Sequence, residues 1–432
     1  MPETPQNIQP RRTDRHIWGI YILLCLISII ELYSASSHEV KATNVYAPVL
    51  RHVLFLIIGL GCMLALQRTH YKYFMRWIWP FAIFSWALMV YTLFFGDYIN
   101  GARRSFTILF FAIQPAEMVK LSIVLVIAAE LCKSQIKGQL DVSNRGLIWV
   151  CVALAIGSGL LFTQGLTNTL LLMAISLSML LVGGVSMRKF LIVLLVFAVM
   201  GGMALLAKFA FDKSDSKPEA EYQEIVIPGT DYVLGVDSLS GGSGRSLTWQ
   251  ARIERHFKSD KWNDTINDKN QQEQYSYLAQ AHGGVFGVMP GNSRETARLP
   301  LAFSDYIYAI VIEELGLVGG IIVLVLYLWL LARAGRVANR CQTAFPALLV
   351  IGMAVFIAFQ AIFHMAIVTG VFPVSGQPLP LISKGGTSIL ITSVALGIML
   401  SVSRFAARKG RRAEIKEELK ELPDEMSAEN PT

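Results

Sequence analysis

Ten apolar segments of about 20 residues recur along this chain, near 17–35, 49–66, 77–96, 115–132, 147–163, 168–184, 190–208, 304–332, 345–369 and 387–403. Each is long enough to cross the hydrocarbon core of a bilayer. In lipid every backbone N–H and C=O must be satisfied inside its own segment, so a chain patterned this way folds as a bundle of helices. Composition agrees: 53% of the residues are hydrophobic and 16% charged, against about 25% charged in an ordinary soluble domain. The expectation is an all-α polytopic integral membrane protein of about ten transmembrane helices, with one long external loop, 209–302, between spans seven and eight. A membrane, and no nucleic acid, is the expected environment.

The basic residues orient the spans, because Lys and Arg concentrate on the cytoplasmic side. Arg11, Arg12 and Arg15 precede the first segment; Arg68, Lys72 and Arg76 follow the second; Lys133, Lys137 and Arg145 follow the fourth. Arg188 and Lys189, Arg333, Arg336 and Arg340, and Arg404 to Arg412 continue the alternation. Both termini are therefore expected in the cytoplasm and the protein in the cytoplasmic membrane. The first span has no small-residue cleavage site and reads as a retained helix. The expected division is a cytoplasmic N-terminus 1–16, a membrane domain 17–405 and a charged cytoplasmic tail 406–432.

Charge within the apolar pattern marks chemistry, since an ionisable group in hydrocarbon costs several kcal/mol. Asp305 opens an apolar helix that carries Glu313 and Glu314 inside it. Helical rise puts Glu313 about 12 Å beyond Asp305, so the first carboxylate can sit at a membrane surface while the others are buried. Arg103 and Arg104 fall on the external side, against the sorting rule, as either snorkelling cations or an anion site. Pro115 opens a helix that places Glu117 and Lys120 on one face, a pair that can neutralise itself.

Residues 370–388 are too rich in Pro and Gly for a continuous helix and are expected to line a cavity, with Ser383, Lys384, Gly385 and Gly386 at their end. The glycine-dense run from Gly283 and Gly284 to Ser293 leads towards Asp305 and predicts shaped backbone near it. Tyr222 to Leu234 predicts a short hairpin around Pro228-Gly229. The five cysteines offer no disulfide framework or CxxC pair, and the seven histidines no ligand spacing. His364 lies within a span, where a hydrogen-bonded packing role is expected ahead of ligation or a proton relay.

Four elements occur in order: Gly101-x-x-Arg104, Gln114-Pro-x-Glu-x-x-Lys120, the stretch from Gly283-Gly through Asp305 to Glu313-Glu-x-Gly316, and Pro373-Val-x-Gly-x-Pro-Leu-Pro-x-Ile-Ser383-x-Gly-Gly-Thr-Ser388. Together they resemble the SEDS family of polytopic peptidoglycan polymerases, the group containing FtsW and RodA, over roughly residues 17–405. The resemblance implies a glycosyltransferase that uses lipid II outside the cytoplasmic membrane. It places the family's essential aspartate at Asp305 and its motif cations and acid at Arg104 (or Arg103), Lys120 and Glu117.

It also implies a class B penicillin-binding transpeptidase and other division proteins as partners. No cofactor is expected, and dependence on a divalent cation is open. The short N-terminus and charged tail look more like the division type, FtsW-like members of the Bacteroidetes lineage, than the elongation type. The chain departs from the common pattern at Phe303-Ser-Asp-Tyr306, His364, Lys384 and Thr163-Gln-Gly-Leu-Thr-Asn168.

The chemistry also follows from the residues. A sugar hydroxyl attacking an anomeric carbon that bears pyrophosphate needs a base within hydrogen-bond reach, which suits Asp305. Fixed cations then stabilise the departing pyrophosphate, for which Arg103, Arg104, Lys120 and Lys384 are candidates. A flippase or transporter for a lipid-linked precursor would also use broken helices and buried charge. It would stop moving lipid on loss of Asp305, whereas a noncatalytic division scaffold would tolerate that loss.

Overall fold

A computed structural model describes residues 13–39, 46–99, 102–108, 111–135, 141–214, 224–226, 233–235, 256–257, 266, 270–296, 298–299 and 302–405. Its helices are α1 (Arg15–Glu39), α2 (Tyr46–Arg68), α3 (Tyr71–Phe95), α4 (Pro115–Ser134), α5 (Asn144–Phe162), α6 (Leu166–Val182), α7 (Met187–Ser214), α8 (Gln271–Gly283), α9 (Ile307–Asn339), α10 (Ala344–Val368) and α11 (Gly386–Phe405). All except α8 coincide with the ten apolar segments. Seven of them, α1, α2, α3, α5, α9, α10 and α11, are long and apolar enough to cross a membrane among the described residues. Pro115 at the first position of α4 fixes its start, and Glu117 in the first turn complements the helix dipole.

The chain separates into two compact units, residues 1–190 with 265–432, and residues 191–264. The first unit holds every candidate site residue. Its centre is made by α4, α10 and α11. In α10 and α11, 78% of the apolar stretch lies inside the protein, whereas in α2 and α3 only 28% does. The outer helices thus turn most of their apolar surface outward, as lipid-facing helices must. In pairs, α11 packs on α2, α9 on α10 and α8, and α4 on α3, α5 and α10.

Three features depart from the sequence reading. The connection between α3 and α4 forms an antiparallel sheet of β1 (Asp97–Ile99), β2 (Ala102–Ile108) and β3 (Phe111–Ile113), ordered β1-β2-β3. The stretch before Asp305 contains α8, a polar helix docked by Ser276 and Gln280 onto the Val368 carbonyl at 3.3 and 2.9 Å. Helix α9 is broken at Gly316, whose φ is +74°.

That break is filled by residues 284–289. The amides of Val288 and Met289 donate to the Glu313 and Glu314 carbonyls, both at 2.9 Å. The amides of Leu317 and Val318 donate to the carbonyls of Gly284 and Val285 at 3.0 and 3.3 Å. A Cβ on Gly316 would fall 2.2 Å from the Val285 carbonyl oxygen, and one on Gly287 2.2 Å from that of Glu314, so only glycine fits at either crossing. The second unit contains the expected hairpin, β4 (Glu224–Val226) antiparallel to β5 (Val233–Gly235). Its turn, Gly101, most of the external loop and the 406–432 tail lie outside the described residues.

Candidate active site

Asp305 lies in the turn preceding α9, two residues before its first helical position, and is half-buried. The sequence placed it at the helix opening; the structure sets it just outside, beyond the N-cap residue Tyr306. Ser304 donates to Asp305 Oδ1 at 3.1 Å. The segment 376–385 forms the wall beside it. A Cβ on Gly376 would stand 2.9 Å from Asp305 Oδ2, so the backbone passes as close to the carboxylate as glycine allows. Ser383 fastens this wall: its hydroxyl accepts from the Leu379 amide at 2.7 Å and donates to the Ser304 carbonyl at 2.8 Å. The Lys384 amide donates to the Phe303 carbonyl at 2.9 Å, and its ammonium sits 4.1 Å from the centre of the Phe303 ring. Gly385 and Gly386 follow at the start of α11.

Glu117 and Lys120 of α4 meet the wall one residue further along, at Gln377. They form the ion pair expected of their spacing, at 2.7 Å, with the lysine wholly buried. Lys120 Nζ also reaches Gln377 Oε1 at 3.5 Å, and Gln360 donates to the other Glu117 oxygen at 3.1 Å. Gln377 is the junction. Its side-chain amide donates to Asn168 Oδ1 at 3.0 Å, and its carbonyl meets His364 Nδ1 at 2.5 Å. His364 is thus hydrogen-bonded through Nδ1, while its Nε2 is buried without a partner among the described residues. Asn168 brings the connection between α5 and α6 into the site, and Gln164 of the same connection donates to the Arg103 carbonyl at 2.7 Å.

Arg103 and Arg104 lie side by side on β2, so their side chains leave opposite faces of the strand. Arg103 is exposed, with a 3.4 Å hydrogen bond to the Leu93 carbonyl, and Arg104 is half-buried. Thr387 ties this sheet to the wall, accepting from the Gln114 amide at 3.1 Å and donating to the Ala112 carbonyl at 3.0 Å.

Glu313 and Glu314 serve the backbone. Glu313 accepts from Ser293 Oγ at 2.6 Å and from the Arg294 and Glu295 amides at 2.9 and 3.3 Å. Glu314 accepts from Ser34 Oγ of α1 and from the Gly291 amide. Both carboxylates therefore hold the 289–295 turns, and Gly283 and Gly284 lie at the other end of the same loop. Among the described residues no group of three or more His, Cys, Asp or Glu side chains is placed to share a metal ion.

Sequence reasoning assigned no role to Gln377 or Gln360, and marked Asn168 and Ser304 only as parts of stretches that depart from the family pattern. Their one available signal was a polar side chain inside or beside an apolar run.

Known proteins resemble this chain over most of its length. The family of cell cycle proteins FTSW_RODA_SPOVE matches residues 14–216 and 243–408. A probable peptidoglycan glycosyltransferase FtsW from Trichlorobacter lovleyi is 28% identical over 389 residues, 88% of this chain and 91% of that protein. The stage V sporulation protein E of Bacillus subtilis is 28% identical over 393 residues, 90% of this chain and 96% of its own length. These relatives come from other bacteria, and the Bacteroidetes likeness stays an expectation of the sequence.

Among solved structures, a chain from a peptidoglycan synthase complex that coordinates polymerisation and crosslinking aligns with TM-score 0.66 at 21% identity, covering 90% of this chain and 97% of that one. The rod shape determining protein RodA of Thermus thermophilus aligns with TM-score 0.60 at 20% identity over 93% of this chain and 99% of that one. The helical membrane fold is common to this chain and both solved structures.

Proposed function

The chain belongs to the FtsW, RodA and SpoVE family of cell cycle proteins, and on that premise we propose that it is a peptidoglycan glycosyltransferase of cell division that polymerises lipid II with Asp305 as general base. The observation that carries the role of Asp305 is its position: a half-buried carboxylate outside the helix, pressed against the Gly376 backbone at one end of a polar wall. In the proposed reaction the acceptor sugar hydroxyl gives its proton to Asp305 as its oxygen attacks the anomeric carbon of the growing glycan. The bond to undecaprenyl pyrophosphate breaks, and the electron pair leaves with the pyrophosphate. Arg103, Arg104 and Lys384 are assigned to stabilise that charge. Lys120 is assigned a share through Gln377, because its ammonium is already paired with Glu117.

The same reading places the protein in the cytoplasmic membrane with both termini in the cytoplasm, as the distribution of Arg and Lys favours. It gives the protein a class B penicillin-binding transpeptidase as partner, which suits the likeness to a chain from a synthase complex, together with other division proteins. No cofactor is assigned.

The test is polymerisation of labelled lipid II by purified protein. Asp305→Asn is expected to insert and fold normally and to lose at least 10²-fold in rate. Near wild-type polymerisation by this variant would end the general-base assignment, and movement of lipid across vesicles with no glycan made would favour a flippase.

A further inference from the structure

The opposite, basic edge of the bundle carries a second built site. Helices α3, α4 and α5 converge there, and Trp79, Glu130 and Trp149 line an open cavity of about 360 Å³. Trp79 lies one turn beyond Arg76, Trp149 one turn beyond Arg145, and Glu130 one turn before Lys133. By helical rise all three sit about 5 Å inside the ring of basic residues, at the depth where phospholipid headgroups meet hydrocarbon.

The side chains there are arranged with both signs of charge. Glu130 is 8% exposed. One of its oxygens, Oε1, accepts from Trp79 Nε1 at 3.2 Å and from Lys133 Nζ at 2.9 Å. The other, Oε2, has no hydrogen-bond partner among the described residues. The Trp79 and Trp149 rings stand nearly perpendicular, at 80° with centroids 6.4 Å apart, so the face of one and the edge of the other bound the same space. Trp149 is 56% exposed on the outer surface of the bundle. Lys133 leaves the cavity with 48% of its side chain exposed.

Two indole rings and an unshared carboxylate oxygen favour a cation, while a half-exposed lysine beside them favours an anion. A ligand that satisfies all of these carries an ammonium and a phosphate joined by a short link. We propose that the Trp79–Glu130–Trp149 cavity binds the headgroup of a membrane phospholipid bearing a primary amine. The ammonium donates to Glu130 Oε2 against the indole rings, the phosphate meets Lys133, and the acyl chains run down the outward apolar surface of α3 and α5. A simple aromatic anchor at the interface would need neither the cavity nor the buried acid. A primary amine is favoured over a quaternary one because its N–H groups can donate to Oε2, which a quaternary ammonium cannot do.

Native mass spectrometry of the full-length protein in detergent tests this, with phosphatidylethanolamine, phosphatidylcholine and phosphatidylglycerol of identical acyl chains added in turn. Phosphatidylethanolamine should bind most tightly. Glu130→Gln and Trp149→Ala should each weaken it by about tenfold, leaving phosphatidylglycerol unchanged, in variants whose melting temperature matches the wild type. Trp149→Ala removes an exposed ring and keeps the test valid should Glu130→Gln destabilise the bundle. Equal binding of the three lipids, tighter binding of phosphatidylcholine, or phosphatidylethanolamine binding untouched by Trp149→Ala would each overturn the proposal.

Discussion

Adding a single methyl group at Gly376 should separate catalysis from folding. The new Cβ of Gly376→Ala would stand 2.9 Å from Asp305 Oδ2 and 3.3 Å from its Cγ, whereas ordinary contact begins at 3.4 Å. The carboxylate must retreat by about 0.5 Å, and being half-buried it has room to do so. Misplacement of a reacting group by about 1 Å costs about 10²-fold, so half that distance should cost about tenfold in kcat, or about 1.4 kcal/mol of transition-state stabilisation. Gly376 is exposed and its φ is not in the left-handed region, so melting should shift by less than about 0.5 kcal/mol. The assay is single-turnover extension of labelled lipid II, beside thermal melting in the same detergent. In an Asp305→Asn background the alanine should have no further effect, because the group it displaces no longer acts. A full rate for Gly376→Ala, or a tenfold loss that persists in the Asp305→Asn background, would refute the reasoning.

Lys120→Ala strands the buried Glu117 and should destabilise the protein by about 3 kcal/mol, a loss largely reversed by pairing Lys120→Met with Glu117→Gln; unchanged melting of the single variant would contradict the buried pair. Arg104→Ala should instead lower lipid II turnover at unchanged stability, and equal turnover would leave Arg103 and Lys384 to carry the leaving group. The Lys189 ammonium, then the Val142 amide, holds the Asp141 carboxyl down at about 2 from the usual 3.8. Stability from this group is therefore full above about pH 4 and lost as pH falls towards 2, so Lys189→Met should flatten that acid limb of a melting-versus-pH curve, and an unaltered limb would dismiss the pair. On the proposal that a class B transpeptidase contacts the external loop 209–302 and raises polymerisation, shortening 214–245 should abolish that stimulation; stimulation that survives would remove this segment from regulation.

The ten helical segments were legible because lipid imposes one simple rule on twenty consecutive side chains. Asp305 and the Glu117–Lys120 pair stood out for the complementary reason, being charges where that rule forbids them. The Gly316 break was hidden. A glycine inside an apolar run does not disclose whether another strand of backbone will arrive to take up its freed carbonyls, and here the strand lies 27 or more residues earlier, at 284–289. The roles of Gln377, Asn168 and Gln360 were equally hidden, since an amide carries neither charge nor periodicity and its value depends on partners up to 257 residues away. The β1-β2-β3 sheet was missed because strands of three and seven residues on a membrane edge show no sustained alternation.

The splice between residues 284–289 and Gly316 also sets an order of assembly. Translation delivers the splicing segment before the helix it completes, so when Glu313 to Val318 enter the bilayer the complementary amides and carbonyls have already been made. A chain with the two reversed, as in a circular permutant opened between 290 and 306, would have to insert an unsatisfied helix break and wait for its template. In hydrocarbon each unmatched peptide group costs several kcal/mol. Such a permutant should therefore stall during insertion and be degraded, although its finished fold would be the same.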